Sequence, residues 1–219
     1  MRDRNAPLSA ANVAELDWEK MDGLLPAIVQ HCESGRVLML GYMNRQALEA
    51  TLNDRLATFF SRSKGQLWQK GETSGHRLLV DAVFADCDSD ALLVFAVPEG
   101  PTCHTGTTSC FGEETLYGPG WLADLSALVR ERAQSGGPAS YTRRLLDEGT
   151  HRIAQKVGEE GVEVALAAVS RPAGECADEI ADLLYHLAVL MEPLGLGWND
   201  VLAILKARHA SASSSTAAS

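Results

Sequence analysis

No apolar stretch in the 219 residues approaches the roughly 20 that a membrane-crossing helix requires. No N-terminal run sets a basic start before an apolar core, so a cytoplasmic chain is expected. An excess of positive charge is missing too. The formal net charge is −10, with 10 basic and 16 acidic side chains in residues 1–120 and 9 and 13 in residues 121–219, which argues against a nucleic-acid surface. The chain contains no Cys-x-x-Cys pair, no Walker-type phosphate loop and no internal repeat. Its five cysteines, an odd count, are expected to stay reduced in the cytoplasm, which favours metal ligation or simple burial over disulfides.

What is present is ample apolar material, 46% of residues, enough to bury a core in one large domain or two small ones. The first half alternates short runs rich in Val, Leu and Phe with turn signals. Strands are expected in "GRVLMLGYM", "LATFFSR", "HRLLVDAVFAD" and "ALLVFAVPEG", with a short helix capped by Asn44 over Ala47, Leu48 and Leu52. Beyond Trp121 the pattern becomes helical, in "WLADLSALVRERAQ", "YTRRLLDEG", "HRIAQKVGEEGVEVALAAVS", "ECADEIADLLYHLAVLME" and "NDVLAILKARH". The fold class read from this is two domains: a mixed α+β, strand-rich metal-binding domain over 1–117 and an all-α helical bundle over 121–209. Residues 118–120 form a linker, and 210–219 a tail too polar and small to fold.

The segment "DCDSD" sets Cys87 between Asp86 and Asp88. On a strand, Asp86, Asp88 and Asp90 share one face and Cys87 takes the other, so hard carboxylates suit Mg²⁺ and the thiol suits Zn²⁺. Cys103 and Cys110 lie on a loop of Gly and Thr that can fold back on itself. With Cys87 they make three zinc ligands, leaving a fourth position for water, whose pKa zinc lowers to roughly 7. His104 is placed to shuttle protons. The alternative is a buried core thiol at Cys87, a solvated turn of aspartates, and two incidental cysteines.

Just before it, "SRSKGQLWQKGETSGHR" mixes Arg62, Lys64, Lys70 and Arg77 with Gly65, Gly71 and Gly75 and several hydroxyls. That is suitable for a phosphate-bearing ligand, with Trp68 able to stack on a base. A polar hairpin with one buried Trp accounts for the same residues.

In the helical half, Lys156, Glu160 and Glu163 fall within about 40° of one another at 100° per residue, with Glu159 at the edge. A second helix carries Glu175, Glu179, Asp182 and His186 at i, i+4, i+7 and i+11. Stacked like charges repel, so each face either meets water or holds cations; opposed helices can present four carboxylates to hydrated Mg²⁺. His186 reads either as a support for those carboxylates or as a core histidine.

The motifs "GLLPAIVQ", "VLMLGYMN", "FFSRSKGQLWQKGETSG", "DCDSDALL" and "GPTCHTGTTSCF" resemble phosphoribosyl-AMP cyclohydrolase over about residues 13–115. The resemblance implies a homodimer with active sites at the subunit interface. It implies Mg²⁺ on Asp86, Asp88 and Asp90, and Zn²⁺ on Cys87, Cys103 and Cys110, with Cys87 supplied by the partner chain. Substrate contacts are implied at Arg62, Trp68, Lys70, Gly71, Glu72, Ser74 and Gly75, and catalysis at His104. His31 and Cys32, where an acidic then a small residue is usual, and Gln46, where Glu is usual, depart from the pattern outside these ligands. Cys32 and Cys176 are read as non-ligands.

"SYTRRLL", "KVGEEGVEVALAA" and "DEIADLLYHLAVL" resemble phosphoribosyl-ATP pyrophosphohydrolase, of the all-α nucleotide pyrophosphohydrolase type, over about residues 121–208. By that resemblance Glu159, Glu160, Glu163, Glu179 and Asp182 bind Mg²⁺, Glu163 is catalytic and Lys156 contacts phosphate; Arg143, Arg144 and Arg152 are further basic candidates. Together the resemblances imply a bifunctional hydrolase of histidine biosynthesis. It would release pyrophosphate from phosphoribosyl-ATP, then open the adenine ring of phosphoribosyl-AMP between N1 and C6 with a zinc-activated water. The rival readings are a general nucleotide pyrophosphohydrolase whose first half takes another substrate, and a zinc-stabilised scaffold without catalysis.

Overall fold

The computed structural model describes residues 3–112, 118–137 and 139–216, and the chain divides into two compact units, Met1–Gly120 and Trp121–Ser219. In the first unit a 3-10 turn, Ala10–Glu15, precedes β1 (Leu25–His31), β2 (Val37–Met43), α1 (Arg45–Asp54), β3 (Thr58–Ser61), β4 (Gln66–Gln69), β5 (Leu78–Ala85) and β6 (Leu92–Pro98). The four expected strands all form. The sequence reading did not include β1 and β4. Pro26 disguises β1, because a proline inside a strand removes a ladder donor. It is tolerated because the parallel ladder to β6 begins one residue later, at Ala27↔Leu92. β4 is short, and two of its four residues are glutamine.

The main sheet runs β2-β1-β6-β5, and β3 pairs with β4 in a separate ribbon. Register follows from alternation: Leu25, Ala27 and Val29 alternate inward on β1 and meet Leu92 and Val94 of β6 on the same buried face. Behind them stand Leu38 and Met43 of β2, Ala47 and Leu48 of α1, and Phe59 of β3. Thr51 ties α1 to β3; its hydroxyl donates to the Ala47 carbonyl at 2.8 Å and accepts the Thr58 N–H at 2.9 Å. The opposite face of the sheet carries exposed apolar side chains, with Ile28 opposite Leu40 and Leu79 opposite Val97.

In the second unit α2 (Trp121–Ser135), α3 (Tyr141–Glu148), α4 (Thr150–Ser170), α5 (Ala173–Leu194) and α6 (Trp198–Thr216) follow the expected order. Ser140 caps α3 by accepting the Arg143 N–H, and Gly149, with φ +88°, separates α3 from α4. Leu125, Val129, Leu145, Ile153, Ala188 and Val189 form the core. α6 continues to Thr216, into the segment expected as a tail from residue 210. The expected linker, 118–120, is a 3-10 turn leading into α2. No single helix among the described residues is long and apolar enough to cross a membrane.

Gly41 of β2 faces the ring of Phe59 so closely that an added Cβ would collide with it. Phe59 in turn leans on Trp68 at 5.2 Å between centroids, leaving the ring no room to retreat. Gly41→Ala should therefore cost about 1–3 kcal/mol of stability, read from urea or thermal unfolding of the full chain. Unfolding indistinguishable from the parent protein would contradict this packing.

Candidate active sites

The loop after β6 carries Cys103, His104 and Cys110 and is pinned to β2. The Cys110 N–H donates to the Leu38 carbonyl at 2.8 Å, and the buried Ser109 hydroxyl to the Val37 carbonyl at 2.8 Å. These bonds set Cys103 and Cys110 close enough for each to shift the other's thiol. The Thr105 hydroxyl donates to Cys103 Sγ at 3.1 Å, and the Thr105 amide and Thr107 hydroxyl add to it, pulling the Cys103 thiol down to about 6. Burial, and then the neighbouring Cys103, push Cys110 upward. His104 Nδ1 lies 3.8 Å from Cys103 Sγ. A thiolate beside a second thiol is a soft donor pair and fits zinc.

These three residues line a cleft of ≈ 490 Å³ together with Trp68, Lys70, Gly71, Glu72 and Ser74. Lys70 Nζ donates to the His76 carbonyl at 3.2 Å, and Glu72 Oε2 accepts the Gln69 N–H at 3.2 Å. Gly71 is required there: its φ is +85°, and a Cβ would stand 2.5 Å from the His76 carbonyl. Arg62 lies elsewhere, its guanidinium 3.8 Å from the Tyr42 ring centroid in an adjoining hollow that shares Trp68. Gly75, at φ +78°, shapes the turn without lining the cleft. Thr102 was not anticipated. It also lines the cleft, is 3% exposed, and its hydroxyl has no partner among the described residues.

The segment holding Asp86, Cys87, Asp88 and Asp90 is not a strand. β5 ends at Ala85 and β6 starts at Leu92, and Asp86 Oδ1 accepts the N–H groups of Asp90 and Ala91 at 3.0 and 3.1 Å, closing a turn in which Ser89 has φ +64°. The expected two-face alternation is therefore wrong: ligand atoms of Asp86, Cys87 and Asp88 all lie within 4.8 Å of one another. Cys87 does not join Cys103 and Cys110 in any such group among the described residues of one chain. Asp88 and Asp90 meet Lys20, a residue not anticipated as part of this site, because 68 residues separate it from Asp88.

In the helical unit, Glu160 of α4 and Glu179 and Asp182 of α5 bring oxygens within 4.8 Å of one another, a hard donor set that fits Mg²⁺. Glu163 joins them electrostatically. The charge of Glu160, then burial and the charge of Glu179, raise its carboxyl above the usual range. Glu159 turns instead to cations of its own helix: Lys156 Nζ at 2.9 Å and Arg152 Nη1 at 3.9 Å. Lys156 also contacts Glu160 at 2.9 Å, and Arg171, another unanticipated residue, pairs with Glu179 at 2.6 Å. Arg143 pairs with Asp147, and Arg144 lies over the Tyr141 ring. His186 packs edge-on against the Tyr141 and Tyr185 rings. It is 5% exposed, its Nδ1 donates to the Asp182 carbonyl at 2.9 Å and lies 3.6 Å from Glu160, and its Nε2 faces the Tyr141 hydroxyl at 3.2 Å.

Comparison with known proteins gives the chain a class. The family described as Phosphoribosyl-AMP cyclohydrolase matches residues 39–112, and that described as Phosphoribosyl-ATP pyrophosphohydrolase matches residues 122–209. The chain is thus a fusion of two hydrolase domains acting on phosphoribosyl nucleotides. "Histidine biosynthesis bifunctional protein HisIE" of Xylella fastidiosa strain Temecula1 is 57% identical over 196 residues, covering 89% of this chain and 93% of that protein. The proteins of the same name from Salmonella typhimurium strain LT2 and Escherichia coli strain K12 are each 55% identical, covering 89% of this chain and 96% of theirs. The chain belongs to this bifunctional HisIE family of histidine biosynthesis, with a cyclohydrolase domain followed by a pyrophosphohydrolase domain.

A low thiol pKa has a direct readout. In protein stripped of metal, alkylation of Cys103 should rise with pH through a midpoint near 6 instead of the ordinary 9.0, since only the thiolate reacts. Thr105→Val, which deletes the foremost cause, should move that midpoint upward. A midpoint unmoved by the substitution would contradict the assigned cause.

Proposed function

We propose that the helical unit acts first, removing pyrophosphate from phosphoribosyl-ATP, and that the strand-rich unit then opens the adenine ring of the resulting phosphoribosyl-AMP between N1 and C6. The order follows from the chemistry, since the first product is the second substrate. The observation that carries the reading is the pairing of two donor sets of opposite softness in separate units: thiols in a cleft, and carboxylates between helices.

Zinc held by Cys87, Cys103 and Cys110 would supply Lewis acidity that brings the pKa of a water to roughly 7. Around it, Thr105 and Thr107 keep Cys103 ionised. His104 takes a proton from the water that attacks C6 and returns one to N1 as the ring bond breaks. Trp68 offers a face to the base, and Lys70, Ser74 and the turn amide at Gly71 meet a phosphate, with Gly75 closing the turn by donating its N–H to the Gly71 carbonyl and Glu72 bracing it. Arg62, in the adjoining hollow, is left for the second phosphate. On this reading the Cys87 thiol comes from the partner chain of a homodimer. Two facts support that: Cys87 groups with the aspartates instead of the other two cysteines, and the outer sheet face is apolar.

Magnesium on Asp86, Asp88 and Asp90, and on Glu160, Glu163, Glu179 and Asp182 with Glu159 beside them, would supply charge that offsets phosphate. Glu163, with its raised carboxyl, takes the proton of the water attacking phosphorus, and Lys156 turns from Glu160 to the phosphate. Five free thiols accord with a cytoplasmic location.

The test supplies phosphoribosyl-ATP and follows pyrophosphate together with the ultraviolet change of ring opening. Cys103→Ser should lower ring opening by at least about 100-fold while pyrophosphate release continues. Glu163→Gln should block pyrophosphate release yet leave added phosphoribosyl-AMP convertible. Either substitution stopping both half-reactions in a folded protein would overturn the division of labour.

A further inference from the structure

Lys20 lies upstream of the residues matched by the cyclohydrolase family, which begin at 39. Its ammonium nonetheless bridges two of the proposed magnesium carboxylates, contacting Asp88 and standing 2.5 Å from Asp90 Oδ2. The contact is built in. The Asp17 N–H donates to the Ser89 carbonyl at 2.9 Å, clamping the Lys20 turn onto the aspartate turn, and Asp17 Oδ1 accepts the Lys20 N–H at 3.1 Å. Trp18, between them, is buried and anchored by its indole N–H to the Val13 carbonyl at 2.9 Å. The lysine's backbone is thus held in place, while its side chain, 46% exposed, is free to swing into water.

Building on the magnesium reading of Asp86, Asp88 and Asp90, we infer that Lys20 is a tethered counter-ion for this site, one that a divalent cation must displace in order to bind. With the ammonium in place, the crowded carboxylates are partly neutralised and the turn between β5 and β6 keeps its shape before metal arrives. An incoming divalent ion carries twice the charge and takes carboxylate oxygens directly, so it wins, but only after expelling the lysine. Lys20 therefore weakens the site's apparent affinity for metal. A side chain that merely braced the ligands would do the reverse.

The experiment measures Mn²⁺ binding to the full chain by electron paramagnetic resonance of the free ion, with Asp88→Asn identifying which bound Mn²⁺ belongs to this site. Lys20→Met and Lys20→Gln, both at an exposed position, should each tighten the Asp88-dependent class by about three- to tenfold, as expected from removing a pair of solvent-reached ion contacts. Lys20→Arg, which keeps the charge, should bind as the parent does. Unchanged or weaker Mn²⁺ binding in the folded neutral variants would overturn the role of Lys20 while leaving the metal site standing. Absence of any Asp88-dependent Mn²⁺ in the parent protein would overturn the metal reading and this inference with it.

Discussion

Donor atoms of like charge are forced together in this chain by its backbone, and most of its chemistry depends on that constraint. The turn closed by Asp86, the loop pinned by Ser109 and Cys110, and the facing helices α4 and α5 each gather groups that repel one another when ionised. Such gatherings cost free energy unless a cation shares them. The chain answers part of that cost itself. Lys20 bridges Asp88 and Asp90, Lys156 bridges Glu159 and Glu160, and Arg171 meets Glu179. Each of these cations sits on a long side chain that water still reaches.

Softness divides the two halves. Thiols, one of them held ionised by threonine hydroxyls, define the strand-rich unit, and carboxylates alone define the helical one. On the reading proposed above, the same separation divides the chemistry. Attack on a purine carbon needs an acidified water at neutral pH, while attack on a polyphosphate needs mainly charge neutralisation and a base. Fusing the two domains supplies both in equal amounts. The substrates of both steps are phosphoribosyl nucleotides, so a phosphate contact is proposed for each half, the turn at Lys70 and Gly71 in one and Lys156 in the other.

The helices and most strands were legible because their residues carry their own periodicity; Leu125 and Val129 of α2, and Ala188 and Met191 of α5, recur at helical spacing and are all buried. The local donor motifs were legible for the same reason, since Cys103 and His104, or Glu160 and Glu163, are near neighbours in sequence. What escaped depends on contacts between separate elements. Lys20 reaches Asp88 across 68 residues, and Arg171 reaches Glu179 around the turn between α4 and α5. β1 was hidden by Pro26, whose missing donor matters little because the β6 ladder starts beyond it. Reading "DCDSD" as extended chain misplaced Cys87 relative to its neighbours. The side chain of Asp86 bonds its own backbone four and five residues on, a local alternative to the ladder open to any aspartate in a short connection.

The central claim is that three cysteine sulfurs converge on one zinc with an open fourth position. X-ray absorption at the zinc edge of the purified full chain tests it most directly. The account predicts a shell of three sulfurs at about 2.3 Å and one lighter oxygen or nitrogen neighbour. A closed four-sulfur shell, or active protein carrying zinc with no sulfur in its coordination sphere, would contradict it.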